Sequence, residues 1–181
     1  METEARPLIR LRRLRKEYAD TVAVDDLSLD VGAGEIFGFI GPNGAGKTTT
    51  IRILATLLDP TSGEATIDGA CVQNQVEEVR RLVGYMPDSF GVYDGISVWE
   101  FLDFFAAAFR IPNPRRRAVV RDVMELTDLA PLSSRMVSEL SKGMKQRLCL
   151  AKTLVHDPKV LIHDEPASAL DPRGRIELRE L

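Results

Sequence analysis

The chain opens with leucine and isoleucine alternating with arginine over residues 8–14, the period-two pattern of a half-exposed strand. A second extended run covers 22–31. Ala33-Gly34 marks a turn, after which 35–40 (Glu-Ile-Phe-Gly-Phe-Ile) predicts a buried strand, broken by Gly41-Pro42-Asn43-Gly44. Helical spacing follows over 48–58, with Ile51, Leu54, Leu57 and Leu58 on one face and Pro60 setting the limit. Ser62-Gly63 turns into a strand over 64–67, which Asp68-Gly69 ends. A short amphipathic helix over 75–82 and a short strand over 83–86 complete this stretch.

From Asp88 onward the period becomes helical. Ser97 predicts a cap for a helix over 98–109, with Glu100 three residues on completing a capping box. The aromatic run Trp99, Phe101, Phe104, Phe105 and Phe109 reads as the core face of that helix. A second helix over 114–126 carries arginines on its outer face, and a third covers 142–154. An apolar strand at 160–162 resumes the earlier pattern, and a last helix starts at 172. The organisation is one domain over 1–181: a β subdomain and α/β core (1–87), a helical insertion (88–155) and a return to the core (156–181).

Composition adds limits. The chain has 181 residues, 44% hydrophobic and 28% charged, ordinary for a globular domain with a real core. A formal net charge of −3 gives no reason to expect nucleic acid as a partner. The longest apolar stretches, 36–40 and 104–109, are too short to span a bilayer. Residues 1–15 mix charges of both signs without an apolar signal core. Cys71 and Cys149 lack metal-site spacing and read as two reduced thiols.

Candidate chemistry is concentrated at three places. Gly41-Pro-Asn43-Gly44-Ala45-Gly46-Lys47-Thr48 fits G-x-x-x-x-G-K-[ST], between a predicted strand and a predicted helix. Glycines there let the backbone curl until successive N–H groups face inward as an anion nest. The helix N-terminus adds partial positive charge at the same point. Lys47 is expected to reach the β- and γ-phosphates and the Thr48 hydroxyl to ligate Mg²⁺, with Gly41, Asn43, Gly44, Ala45, Gly46 and Thr49 also binding the nucleotide. Second, the apolar strand at 160–162 runs through His163 into adjacent acids, Asp164 and Glu165. One carboxylate can hold Mg²⁺ and the next can polarise an attacking water. Third, Leu140-Ser141-Lys142-Gly143-Met144-Lys145-Gln146-Arg147 opens a helix with a hydroxyl and a glycine, suited either to an anion contact or to routine capping. A phosphate loop alone would also suit a small-molecule kinase, a GTPase or a motor ATPase.

In this order and spacing the three places resemble the ATP-binding cassette (ABC) domains of membrane transporters, over essentially the whole chain. Residues 41–48 look like the family's Walker A motif, 160–165 its Walker B motif and 140–144 its signature, which other phosphate-loop families lack. Ser168-Ala-Leu-Asp171 looks like the D-loop, and Tyr18 stands where the family places an aromatic that stacks on adenine. The resemblance implies an α/β P-loop NTPase three-layer core with an N-terminal antiparallel β subdomain and an inserted helical subdomain. It implies an ATPase using ATP and Mg²⁺, with Glu165 and Asp88 catalytic and Thr48, Asp164 and Asp88 on the metal. It implies a head-to-tail homodimer or heterodimer of such domains driving a separate membrane permease subunit, peripheral at the inner, cytoplasmic face of the cell membrane. The 84–93 pattern is most similar to exporter subunits for drugs or polysaccharides.

Departures from the family pattern modify these expectations. Asp88 stands where glutamine is usual, and a carboxylate there changes the local charge by one. Lys142 replaces the first glycine of the signature and reads either as an added cation for the γ-phosphate or as a solvent-facing side chain. Met144 replaces glutamine and is expected to pack; His163 replaces an apolar residue and reads as a core or edge histidine. The family's next strand, which ends in a histidine at the γ-phosphate, is not among the 181 residues. On that reading backbone groups in the central sheet go unpaired, at about 1–3 kcal/mol each, against a total stability of about 5–15 kcal/mol. The expectation is poor folding and slow or absent hydrolysis, so a nucleotide-binding fragment without turnover is one alternative. A soluble cassette protein acting on ribosomes or DNA is another, although the tandem cassettes or coiled-coil insertions usual there are not seen.

Overall fold

In the computed structural model, which describes residues 6–87, 91, 93 and 95–164, the arginine-rich opening run folds back on the run that follows it. β1 (Ile9–Tyr18) and β2 (Thr21–Val31) are antiparallel, from Ile9 opposite Val31 to Tyr18 opposite Thr21. β3 (Ser62–Ile67) pairs with the other edge of β1, and β4 (Ala70–Cys71) with β3, giving the order β2-β1-β3-β4. Simple alternation does not survive along β1, because Leu11 and Leu14 are both fully buried although three residues apart. The register slips between them, and Arg13 takes a left-handed backbone at φ 47°. Its N–H leaves the ladder and donates to Ser28 Oγ at 2.9 Å. The extra residue of this bulge returns Leu14 to the buried face.

α1 (Lys47–Leu54) lies against β2 and β3, with Ile53 fully buried. It ends four residues before the predicted limit of 58. Thr56 adopts φ 58°, its N–H donates to Ile53 O at 3.0 Å, and the Leu57 N–H reaches back to Arg52 O at 2.9 Å. This pair of bonds is a Schellman ending, which satisfies the last carbonyls and turns the chain out of the helix. α2 (Val76–Leu82) follows β4, with Val79 buried.

The expected strand at 35–40 is not formed. None of the described strands pairs with these residues; Ile36 and Ile40 stand fully exposed, and Phe37 more than half exposed. Apolar content alone does not make a strand, since the ladder of a partner strand has to satisfy its N–H and C=O groups.

The chain divides between Val83 and Gly84 into two units. In the second, β5 (Val83–Met86), which begins at the boundary, pairs with β6 (Val160–His163). Three helices, α3 (Val98–Ala108), α4 (Asn113–Leu126) and α5 (Lys142–Leu154), share a core that includes Phe101, Leu102, Val120, Met124, Leu148 and Ala151. The predicted capping box is present: Ser97 Oγ accepts from the Glu100 N–H at 3.2 Å, and Glu100 Oε2 accepts from the Ser97 N–H at 2.8 Å. These bonds hold the Glu100 carboxyl below its usual range. Of the aromatic run, Phe101 is buried, Trp99 and Phe105 pack partly against the core, and Phe109 stacks on His156 at 3.8 Å between ring centroids. Phe104 departs from the expectation, at 53% exposure. The arginines of α4 are not all external either, since Arg116 Nε donates to half-buried Asp103 on α3 at 2.8 Å.

Candidate functional site

The glycine-rich loop is built on the first unit's sheet. Gly46 is the N-cap of α1 in a left-handed conformation, φ 81° and ψ 6°, and as a glycine it has no side-chain oxygen with which to cap the helix. The residue at the positive end of the helix thus contributes no capping oxygen of its own. A Cβ at Gly46 would stand 2.2 Å from the Ala23 carbonyl oxygen and 3.0 Å from Val24 Cγ2, so only glycine lets the loop seat on β2. Gly44 is also left-handed, at φ 83°. The Ala45 N–H donates to Pro42 O at 3.2 Å, closing the turn through Asn43. Lys47 folds back, its Nζ donating to Gly41 O at 2.7 Å and Pro42 O at 2.8 Å. The Thr50 hydroxyl and N–H both donate to Gly46 O at 2.9 Å, pinning the first turn that carries half-buried Thr48 and Thr49. An ammonium, a helix N-terminus and a curled backbone thus converge on one short loop, an arrangement that attracts a polyanion.

Tyr18 lies at the end of β1 with 45% of its surface exposed. Its partner is Thr21, two residues before the Ala23 carbonyl that backs Gly46, so Tyr18 and the loop share one end of the hairpin.

The second unit holds the other described candidates. Asp164 follows β6, its residue only 5% exposed, with its N–H donating to Met86 O at 3.0 Å. His163, the last residue of β6, is half-buried, and desolvation holds its pKa below the ordinary value. Ser141 is the N-cap of α5, with Oγ accepting from the Met144 N–H at 3.3 Å. Lys142 is exposed, Met144 packs against the helical core as expected, and no neighbouring atom lies within 4 Å of a Cβ built on Gly143. Gly143 is thus not crowded by any described residue.

The family model described as "ABC transporter" matches residues 24–168. The chain belongs to the ABC transporter family. Among relatives of this ABC chain, it is 40% identical over 176 residues to the "Probable multidrug ABC transporter ATP-binding protein YbhF" of Escherichia coli (strain K12). That match takes in 96% of the chain but 30% of the relative. It is 39% identical over 168 residues to the "Nod factor export ATP-binding protein I" of Cupriavidus pinatubonensis (strain JMP 134 / LMG 1197), covering 93% of the chain and 52% of that protein. The chain thus spans between about a third and about half of these relatives. Among solved structures, cbiO1 from Clostridium perfringens, described as part of the ABC transporter complex cbiONQ, superposes with a TM-score of 0.87. Its identity is 28%, and the match covers 97% of this chain and 72% of that one. The fold is accordingly the α/β P-loop NTPase fold of ABC ATPase domains, with an antiparallel β subdomain.

The candidate residues of this ABC chain fall in both units. Gly41 to Thr49 and Tyr18 are in the first; Ser141, Lys142, Gly143 and Asp164 are in the second. Asp88, Glu165, Ser168 and Asp171 lie outside the described residues. Among the described residues no group of three or more His, Cys, Asp or Glu gathers as a metal site. The Thr48 hydroxyl in the first unit and the Asp164 carboxylate in the second are each hard oxygen donors of the kind Mg²⁺ prefers. Lys16 contacts the Tyr18 ring, and the signal for it in the sequence is the two-residue spacing from Tyr18 on a strand.

Proposed function

We propose that this chain is the ATP-binding part of an exporter, coupling Mg-ATP binding and hydrolysis to transport through a separate permease. The observation that carries the reading is the loop at Gly46 and Lys47, where a helix N-terminus with glycine as its N-cap, a glycine that only fits without a side chain, and an ammonium meet. In this reading the loop amides and Lys47 hold the β- and γ-phosphates, Thr48 and Asp164 hold Mg²⁺ with Asp88, and Tyr18 takes the adenine. Bound Mg²⁺ would offset charge building on the phosphate oxygens. Glu165 accepts a proton from the attacking water as general base. Ser141 and Gly143 at the head of α5 receive the γ-phosphate of a second domain in a head-to-tail pair, with Ser168 and Asp171 at the same interface. The relatives named for multidrug and Nod factor export support the transport half, and no described helix is long and apolar enough to cross a membrane. The permease would hold the chain at the inner face of the cell membrane.

A second reading, nucleotide binding without turnover, is favoured by the run at 35–40 that leads into the loop, with which none of the described strands pairs. Hydrolysis assays on the chain co-expressed with its permease separate the two. The exporter reading expects turnover that Glu165→Gln lowers by about 10²–10⁴-fold while ATP binding is kept. No turnover in the wild-type complex would leave the second reading standing.

A further inference from the structure

We propose that Lys16 is a positioning residue for the nucleotide base, holding the Tyr18 ring as a fixed platform. The inference rests on the reading that Tyr18 stacks on adenine. Lys16 Nζ sits 5.3 Å from the centroid of the Tyr18 ring, within cation–π range. The same Nζ donates to the Asp59 carbonyl at 2.8 Å, which ties the ammonium to the segment after α1. Its charged neighbours are otherwise engaged: Arg15 bonds to both Glu17 and Asp25. Lys16 is half-buried, whereas Tyr18 is 45% exposed. A ring that a base must stack on loses rotamer freedom at binding, and a cation fixed over one face removes part of that freedom beforehand. In the stacking reading the base takes the other face. Lys16 therefore acts on the base half of the ligand and not on the phosphates, because its ammonium is taken up by a carbonyl and a ring.

The test compares calorimetric titrations with Mg-ATP and with Mg-tripolyphosphate, a probe that has phosphates and no base. Lys16→Met keeps the stem and removes the charge; it should weaken Mg-ATP by roughly two- to fivefold and leave tripolyphosphate unchanged. Lys16→Arg, which keeps a cation, should restore the ATP value. Tyr18→Ala should lower the ATP-to-tripolyphosphate ratio further, and adding Lys16→Met to it should cost nothing more. Lys16→Met weakening both ligands alike, or an additive double variant, would overturn the proposal. If Tyr18→Ala lowers the ratio and Lys16→Met does not, Lys16 alone is removed and base stacking stands. If Tyr18→Ala leaves the ratio unchanged, the stacking reading fails and takes the proposal with it.

Discussion

His163 is an imidazole at the end of a core strand, and burial disfavours its charged form. A folded pKa below the unfolded one means that the unfolded chain binds the extra proton first. The neutral ring is thus compatible with full stability above about pH 6.5, and stability is lost as pH falls below that value and through the lower folded pKa. We expect thermal melts to fall toward pH 5 and His163→Leu to flatten that fall; an unchanged acid slope in the variant would assign it to other groups. Cys149 shows the same physics with opposite sign. Burial raises its thiol to about 11, against a smaller lowering by Lys152, so it stays protonated and inert near neutral pH. At this scale the phosphate loop was legible because the residue types are imposed by backbone geometry, as the left-handed Gly44 and Gly46 demonstrate. The Lys47 contacts to Gly41 and Pro42, and Lys16 over Tyr18, were not legible, because they depend on how the chain folds back on itself.

The same ending closes three helices without a glycine. Thr56, Arg110 and Asp128 each take positive φ, at 58°, 60° and 54°, after α1, α3 and α4. Each donates three residues back, and the next residue, Leu57, Ile111 or Leu129, donates five back. Glycine adopts this conformation without the Cβ penalty, which is about 1 kcal/mol or more for other residues. Arg110 is exposed, so Arg110→Gly should stabilise by about 1 kcal/mol and raise Tm by a few degrees. A lowered Tm would mean that the Arg110 side chain contributes more than its backbone costs. The missing glycines also explain why the end of α1 was misjudged: apolar spacing continues to Leu57 and Leu58, and nothing in the residue types announces the turn at Thr56. Capping at Ser97 and Glu100 was legible, because it is a local bond between residues three apart. The strand expected at 35–40 was not, since pairing is a property of its neighbours.

Across the whole molecule, family membership came from motifs that lie far apart in sequence and in two different units. Their order along the chain was sufficient for the family; the arrangement that joins them belongs to tertiary structure and to partners. What one unit contains by itself is the loop from Gly41 to Thr48, with Lys47 folded onto it and β2 behind it. The account stands on that loop binding a magnesium polyphosphate. The most direct measurement is calorimetry of well-folded wild type and Lys47→Ala with Mg-ATP. We predict saturable binding by the wild type and a loss of roughly 10- to 100-fold in the variant, the size of a charge-assisted hydrogen bond. Equal affinity in the two proteins, or no binding heat from the wild type, would contradict it.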